Sequence, residues 1–280
     1  IFLSFIDGSF LTYGEYIRIV SQFSSSFRAM GLKPGDRVAL KIKKSKFFLG
    51  IYGACIHQGL IFLPINDKYT TEETFFFLKD SQTRLLISTG QEVNKLKNTP
   101  DSFFHTETLE NNGTGSLSVL AEPNRGLANP KRRTSKDITA LLYTSGTTGR
   151  PKAAMITQEN LISNVKTLTE YWKFTSEDVL IHALPVYHTH GLFVATNIVL
   201  FSGASMFFLE KFDTEMILSL MPKATTLMGV PTYYSRLLES SKLSKDLIKG
   251  LRLVISGSAP LTKKSSDRFF KKTGKRILER

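Results

Sequence analysis

Short apolar strands alternate with helices through the first third of the chain, and this alternation constrains the fold more than any other feature. The predicted elements are strands at 37–42, 60–65 and 84–88 and helices at 47–57 and 70–79, the second helix with Thr71 as N-cap. Because strands separated by a helix usually run parallel, the alternation predicts a parallel sheet covered by helices. A chain of 280 residues is long enough for one large core or two smaller ones.

The alternation stops near residue 89 and resumes near residue 136. Residues 89–136 contain Pro100, Pro123 and Pro130 and few apolar runs, which predicts loops and a linker. Beyond them, Thr157 is a predicted N-cap, and strands are predicted at 179–183, 204–209, 226–228 and 251–255. We therefore expect an α/β protein of two lobes, residues 1–135 and residues 136–280.

The chain is strongly basic, with a net charge of +13. The basic residues form three clusters, at Lys41/Lys43/Lys44/Lys46, at Lys131/Arg132/Arg133/Lys136 and between Lys263 and Arg280. Such a charge attracts polyanions, although most of these side chains are expected to form an ordinary solvated surface. A nucleic-acid partner is not expected, because the chain has neither zinc-ligand spacing nor an RNA-binding signature.

The single cysteine, Cys55, excludes an intrachain disulfide and fits a reducing cytoplasm. It lies in an apolar helix-like run, so a core position is expected. The start of the chain lacks the basic leader and the length of a signal peptide. Residues 191–209 carry no charge, but their polar residues argue against a membrane span. A buried helix, a turn at 202–203 and a strand are predicted there instead, without membrane contact.

Residues 141–152 read Leu-Leu-Tyr-Thr-Ser-Gly-Thr-Thr-Gly-Arg-Pro-Lys, a short strand that leads into a loop of hydroxyls and glycines. The potential anion donors are Thr144, Ser145, Gly146, Thr147, Thr148, Gly149 and Lys152. The spacing differs from the phosphate loop of NTPases, since Gly146 and Gly149 are three apart and Pro151 precedes the lysine. A phosphate-binding loop is therefore predicted, with a plain surface turn as the alternative.

Two further stretches carry polar residues beside turns. His188 and His190, between Pro185 and Gly191, are candidate metal ligands, but a third ligand at a suitable spacing is missing, so no metal site is expected. A structural histidine is the alternative. In the second stretch, Thr232 is a predicted helix cap, which puts Tyr233 and Arg236 on one face. The alternative for Arg236 is an ordinary surface cation.

A third stretch, Val-Ile-Ser-Gly-Ser-Ala-Pro-Leu at 254–261, is a strand that runs into a tight loop. Ligands of open α/β sheets bind at the carboxyl ends of strands, so its position suits a binding site. By itself, Gly-Ser-Ala-Pro would also be an ordinary turn.

The predicted phosphate loop and the three stretches that follow it, in this order, resemble the motifs of adenylate-forming enzymes. These enzymes include acyl-CoA synthetases, luciferases and nonribosomal-peptide adenylation domains. The resemblance runs from about Leu11 to Arg280, with one departure, Ala153, where the family usually has glycine. It implies the fold of the large N-terminal domain of these enzymes. It also implies an ATP-dependent acid–thiol ligase. ATP and coenzyme A would be its substrates, Mg²⁺ would accompany ATP, and no tightly bound cofactor is expected.

The resemblance assigns roles to the candidate residues. Lys152 and His188 would be catalytic; the ATP site would comprise Thr144–Gly149, Lys152, Gly257, Ser258, Ala259 and Pro260; the acid would contact His188, His190, Arg236 and Ser256. The combination of Tyr-His-Thr-His-Gly-Leu with Met-Gly-Val-Pro-Thr-x-Tyr-x-Arg resembles malonyl-CoA synthetases in particular. In those enzymes the arginine is expected to hold the second carboxylate of malonate.

In the same family, Leu-Glu-Arg is followed by Tyr-Gly-x-Thr-Glu and later by a C-terminal domain with a catalytic lysine. Because the sequence ends at Arg280, we expect a fragment of the large N-terminal domain that is inactive alone. Three alternatives remain open at this stage. They are a ligase for another acid such as acetate or a fatty acid, a non-catalytic nucleotide-binding remnant, and a basic nucleic-acid-binding module.

Overall fold

The computed structural model describes residues 1–97, 104–121, 129–144 and 151–280. They form two compact units. Unit I comprises Ile1–Thr12 and Ser163–Arg280, and unit II comprises Tyr13–Ile162. Each unit contains its own sheet of mostly parallel strands, as the sequence predicts.

The described residues form thirteen strands and ten α-helices. The strands are β1 (Leu3–Ser4), β2 (Phe10–Leu11), β3 (Arg37–Lys41), β4 (Ile61–Pro64), β5 (Leu85–Ser88), β6 (His105–Thr108), β7 (Ile138–Thr144), β8 (Lys152–Thr157), β9 (Val179–His182), β10 (Ser205–Phe208), β11 (Thr226–Gly229), β12 (Leu253–Ser256) and β13 (Leu278–Glu279).

The helices are α1 (Tyr13–Ala29), α2 (Lys46–Gln58), α3 (Thr71–Asp80), α4 (Gly90–Lys97), α5 (Ser116–Val119), α6 (Gln158–Tyr171), α7 (Asn197–Ser202), α8 (Thr214–Leu220), α9 (Pro231–Glu239) and α10 (Lys263–Thr273). A π-helix covers His190–Thr196, and a short 3₁₀ turn covers Met221–Lys223.

The unit II sheet has the strand order β6-β5-β3-β4-β7-β8, and only β8 is antiparallel to its neighbour. Its central strands are buried on both faces, which explains their continuous apolar runs. The N-cap of α3 is Thr70 rather than the predicted Thr71, because Thr70 and Glu73 form a reciprocal capping box. Lys41, one of the basic cluster, is buried and donates to Glu92 at 2.6 Å.

The prediction of loops and linker across 89–136 was wrong in part. That range contains α4, β6 and α5, and β6 pairs with β5 from Leu85↔His105 to Ser88↔Thr108. The strand escaped detection because it is a partly exposed edge strand that reads His-Thr-Glu-Thr, without an apolar alternation. The predicted lobe boundary at 135/136 also differs from the observed units, because β7 pairs with β4 and carries β8 with it into unit II.

The unit I sheet has the strand order β13-β12-β11-β9-β10-β1-β2, and only β2 is antiparallel. The strands predicted in the second half of the chain are confirmed within a few residues at each end. Side chains of β9, β11, β12, α9 and α10 share one buried apolar cluster that includes Ile181, Leu227, Val254, Tyr234 and Phe269. This core fixes the strand ends from which the candidate site is built.

Residues 191–209 form the predicted helix, turn and strand. The helical part is a π-helix followed by α7, Gly203 ends it with φ of 73°, and β10 follows. In the described part of the chain, no helix is both long and apolar enough to cross a membrane. Cys55 is fully buried in α2, where burial raises the pKa of its thiol, in agreement with the predicted core position.

An ion pair and its hydrogen bonds connect the residues that precede three unit I strands. The Asp178 carboxylate, just before β9, accepts from Arg252 Nε at 2.8 Å and Nη2 at 2.6 Å, from the Thr225 hydroxyl at 2.7 Å and from the Thr175 N–H at 2.9 Å. Arg252 precedes β12, and Thr225 precedes β11. Hydrogen bonds to the charged form, above all from Arg252, more than offset desolvation and lower the pKa of Asp178.

Candidate functional site

The order of the unit I sheet reverses between β9 and β11. The chain leaves β9 for β10 on one side, whereas it leaves β11 for β12 on the other side. The carboxyl ends of these strands are in register, since His182 pairs with Met228 and Gly229 pairs with Ser256. Such a reversal opens a crevice outside the carboxyl ends of parallel strands, where open α/β sheets bind their ligands. All three polar stretches predicted in this half of the chain follow these strands.

The first side of the crevice is the loop after β9, which His182 holds in place. The imidazole of His182 is fully buried, and its Nε2 lies 2.8 Å from the Gly191 carbonyl oxygen and 3.2 Å from Thr196 Oγ1. A Cβ on Gly191 would lie 2.0 Å from the Pro185 carbonyl oxygen, so only glycine fits there. His182 is thus a structural histidine that fixes the start of the π-helix.

His190 is buried at the first turn of that π-helix, with 5% of its surface exposed. Its Nδ1 lies 3.3 Å from Ser258 Oγ, whereas its Nε2 has no hydrogen-bond partner among the described residues. Burial, assisted by the charge of Arg280, lowers the pKa of His190 to about 4. The imidazole is therefore neutral at pH 7 and has one ring nitrogen available.

His188 differs from His190 in its surroundings. It is exposed at the surface, and the Tyr187 ring lies edge-on at 4.7 Å between centroids. Partial desolvation lowers the pKa of His188, so this imidazole is also mainly neutral at pH 7. Within the described residues, no group of three or more His, Cys, Asp or Glu side chains is arranged to hold a metal ion.

The second side of the crevice is α9, which follows β11. Its N-cap is Val230 with Pro231 in the first turn, so Thr232 lies inside the helix and the prediction of a Thr232 cap was wrong. Tyr233 and Arg236 nevertheless share a face, because both contact Phe212. The two aromatic rings lie 4.2 Å apart, and Arg236 Cζ lies 5.6 Å from the Phe212 centroid.

Tyr233 also joins the two sides of the crevice. Its hydroxyl donates to the Ala183 carbonyl oxygen at 3.1 Å. Burial and the neighbouring Tyr187 raise its pKa to about 12, while the charge of Arg236 acts in the opposite direction. Arg236 itself is exposed and makes no ion pair with any residue that the structure describes. The cluster therefore presents a cation held against the Phe212 ring, without a carboxylate partner among the residues that the structure describes.

The third element is the loop after β12. The Gly257 N–H donates to the Gly229 carbonyl oxygen at 3.1 Å, and a Cβ on Gly257 would lie 3.1 Å from His190 Cε1. Ser258 has φ of 69°, which is uncommon for a residue with a side chain. The Ser256 hydroxyl is buried without a hydrogen-bond partner in the described part of the chain. The structure thus brings His190 and this loop together, with two unpartnered polar atoms.

The predicted phosphate loop lies in unit II. Thr144 ends β7, Lys152 begins the antiparallel β8, and the two residues pair directly. Ser145, Gly146, Thr147, Thr148 and Gly149 lie outside the described residues. Lys152 is exposed and has no ion-pair partner that the structure describes. The structure therefore shows the two residues that flank the predicted loop, Thr144 and Lys152, paired at the ends of β7 and β8.

Ala153, the residue that departs from the family pattern, pairs with Tyr143 in β7. Its methyl group packs against the apolar cluster of unit II. A cavity of about 460 Å³ opens beside Thr144 and Pro151 and is lined mainly by aromatic side chains, including Phe76 and Tyr143. The methyl group therefore has a packing role in the strand that follows the loop.

Phe212 and Tyr187 are parts of the candidate site without an assigned role in the sequence analysis. Phe212 stands alone in a polar turn between β10 and α8, where the sequence has no motif. Only the tertiary contact with Tyr233 and Arg236 marks it. For Tyr187, the sequence offers one signal, which is its position directly before the candidate residue His188.

Comparison with known proteins places this geometry in a family. A model described as "AMP-binding enzyme" matches residues 2–279. The crystal structure of ATP-bound MatB from Rhodopseudomonas palustris is 42% identical, covers 100% of this chain and 56% of that chain, and superposes with a TM-score of 0.96. The fold is thus that of the large N-terminal part of adenylate-forming enzymes.

Two relatives show the spread of substrates within the family. A malonate–CoA ligase of Arabidopsis thaliana is 29% identical over 92% of this chain and 46% of the relative. A feruloyl-CoA synthase of an Amycolatopsis species is 28% identical over 94% of this chain and 52% of the relative. The chain spans about half the length of these relatives. With a family match over almost its entire length, the chain belongs to the AMP-binding enzymes.

Proposed function

We propose that this chain is the ATP- and acid-binding part of an acid–CoA ligase whose acid is malonate. The choice of acid rests on Arg236. It is an exposed cation without an ion-pair partner in the described residues, and it lies on α9, which follows β11 at the point where the strand order of the unit I sheet reverses. The overall likeness to relatives does not decide the acid, because the malonate–CoA ligase and the feruloyl-CoA synthase are almost equally similar.

Malonate differs from monocarboxylic acids in its second carboxylate. That group needs a fixed cation away from the reacting end, and guanidinium binds carboxylate bidentately. Arg236 Cζ lies 5.6 Å from the centroid of the Phe212 ring, a contact that favours one placement of the guanidinium. A fatty acyl chain or a phenylpropenoid ring would instead favour an apolar residue at this position.

The reaction of the family implies two steps. A carboxylate oxygen of the acid attacks the α-phosphorus of Mg·ATP, and the bond to pyrophosphate breaks, which leaves an acyl-adenylate. The thiol of coenzyme A then attacks the acyl carbon, loses its proton, and displaces AMP. The protein contributes mainly positioning and charge stabilisation. Lys152 would compensate the charge that develops on the β- and γ-phosphates.

His188 and His190 would act as neutral hydrogen-bonding groups rather than as cations. The pKa of each imidazole is lowered by desolvation, and that of His190 is about 4. The free Nε2 of His190 and the unpartnered Ser256 hydroxyl are suited to polar groups of acid or nucleotide, because buried polar groups need partners. Ser258, bonded to His190, would couple the imidazole to the loop expected to pack on adenine.

A chimera tests this proposal. Residues 1–280 would replace the corresponding segment of MatB from Rhodopseudomonas palustris, and ATP–pyrophosphate exchange would be measured with malonate, acetate, hexanoate and ferulate. Exchange that depends on malonate supports the proposal. Exchange that prefers ferulate or hexanoate would support a ligase but overturn malonate as its acid. ATP binding without exchange for any acid would indicate a non-catalytic nucleotide-binding protein.

A further inference from the structure

The last helix of unit I and the turn after it carry an unusual density of positive charge. Residues 263–276 contain seven Lys or Arg and one Asp. The exposed members, here named the α10 basic face, are Lys263, Lys264, Arg268, Lys271 and Arg276. The opposite side of the helix is buried through Phe269 and Thr273, so these cations cover one outward surface.

Among the described residues, the one acidic side chain within this segment is Asp267, and the segment keeps a large excess of positive charge. None of its basic residues makes an ion pair with a residue that the structure describes. Lys264 and Arg268 are like charges at i,i+4, an arrangement that destabilises a helix. Lys263 and Lys264 occupy the first turn, which has no acidic residue and where the helix dipole disfavours cations. The helix thus retains two unfavourable arrangements on one surface, the like-charge pair and the two cations of its first turn.

Two further cations of the segment have structural roles and help to define the surface. Lys272 Nζ donates to the carbonyl oxygens of Leu238 at 3.2 Å and Ser240 at 2.6 Å, which caps the end of α9. Lys275 Nζ donates to the Lys249 carbonyl oxygen at 3.3 Å. Hydrogen bonds to backbone carbonyls therefore explain these two cations but not the five of the α10 basic face.

An exposed aromatic side chain lies within the charged surface. Phe270 is 41% exposed, and Arg276 Cζ lies 4.6 Å from the centroid of its ring. An exposed apolar side chain next to Lys and Arg is typical of surfaces that bind anionic lipid headgroups and insert one side chain among the acyl chains. Phe270 is the one exposed aromatic residue of residues 263–276, all of which are described.

We propose that the α10 basic face docks the protein onto an anionic lipid surface, with Phe270 entering the interface. The helix has 11 residues, so the face extends over about 16 Å, more than the phosphates of a single nucleotide require. A single-stranded nucleic acid would need successive aromatic platforms in a groove, and this convex face offers one ring. The contact is peripheral, and it revises the sequence-based expectation of no membrane partner. It does not depend on the proposed catalytic function.

Vesicle sedimentation of the 280-residue chain tests this proposal. Vesicles of phosphatidylcholine are compared with vesicles that contain about 30% phosphatidylserine. The variant Lys264→Glu/Arg268→Glu/Lys271→Glu is expected to lose binding to anionic vesicles by roughly tenfold or more. Phe270→Ala should weaken binding by a smaller factor, and high salt should weaken the binding of the unmodified chain.

A matched control distinguishes binding through the α10 basic face from a general effect of the positive net charge. Lys131→Glu/Arg132→Glu/Lys136→Glu reverses three exposed cations elsewhere and should leave most of the binding intact. Equal losses in both triple variants would overturn the proposal, as would the absence of binding to phosphatidylserine vesicles. Binding of single-stranded RNA through the α10 face, without vesicle binding, would also overturn it. If the Glu variant fails to fold, the corresponding Gln variant gives the same comparison.

Discussion

Removal of Arg252 should destabilise unit I severely at neutral pH. The Asp178 side chain is 4% exposed, and Arg252 is its bidentate partner. Arg252→Ala leaves a buried carboxylate with only the Thr225 hydroxyl and the Thr175 N–H. Breaking a buried pair from one side costs about 3–5 kcal/mol. Because the Arg252 side chain is 38% exposed, we expect the lower end of that range, about 3 kcal/mol.

The pH dependence of this loss has a definite sign. In the unmodified chain, the pKa of Asp178 is lowered, so its contribution is present above the ordinary carboxyl pKa and is lost as pH falls through the folded value. In Arg252→Ala, the unpaired buried carboxylate should have a raised pKa, so protonation relieves the destabilisation. The difference in unfolding free energy between the two proteins should therefore shrink as pH falls from 7 toward the acidic range.

The assay is urea unfolding followed by tryptophan fluorescence. Trp172 is the single tryptophan of the chain, lies in unit I, and its carbonyl oxygen accepts from Arg252 Nη1 at 2.9 Å. The matched control is Lys242→Ala, which breaks the exposed pair with Glu215 and should cost less than about 1 kcal/mol. A cost for Arg252→Ala as small as that of the control, or a difference that grows at acidic pH, would refute the reasoning.

Further predictions concern the candidate site. Lys152→Ala in the chimera should slow ATP–pyrophosphate exchange without a change in thermal unfolding, whereas normal exchange would remove Lys152 from the phosphate site. Ala153→Gly should retain equal or higher exchange but lower the free energy of unfolding by about 0.5–1 kcal/mol through lost strand stability, and a clear loss of exchange would contradict this. Gly191→Ala should disrupt the loop after β9 and abolish exchange, because its Cβ would clash with the Pro185 carbonyl; full activity would contradict the packing. His190→Gln should reduce the loss of stability as pH falls from about 6.5 to about 4, because in that window the unfolded imidazole binds a proton while the buried one, with a pKa of about 4, stays neutral. An unchanged stability profile would contradict its burial.

Local sequence signals predicted most of the fold. The apolar runs of β3, β4 and β5 and the turns between them are sufficient for a parallel sheet, since each element is specified by its own residues. The exception is β6, a polar edge strand whose structure depends on pairing with β5. The unit boundary was missed for a related reason, because the pairing of β7 with β4 is a long-range contact without a local signal.

The candidate site was predictable where chemistry is concentrated in a short stretch. His190, Arg236 and the Ser256–Pro260 loop stand beside turns at strand ends, and the sheet brings their loops to one edge of unit I. Phe212 could not be predicted, because only its tertiary contacts with Tyr233 and Arg236 connect it to the site. The cap of α9 was misassigned because Pro231 takes the first helical position and displaces Thr232 inward.

The central claim is tested most directly by the ratio of malonate-dependent to acetate-dependent exchange in the chimera, with and without Arg236. Arg236→Leu should lower malonate-dependent exchange by an amount equivalent to about 2–4 kcal/mol of transition-state stabilisation, while exchange with acetate changes little. Arg236→Lys should retain part of the preference, because it keeps the charge but not the bidentate geometry. A malonate-to-acetate ratio that is the same in Arg236→Leu as in the unsubstituted chimera would contradict the account.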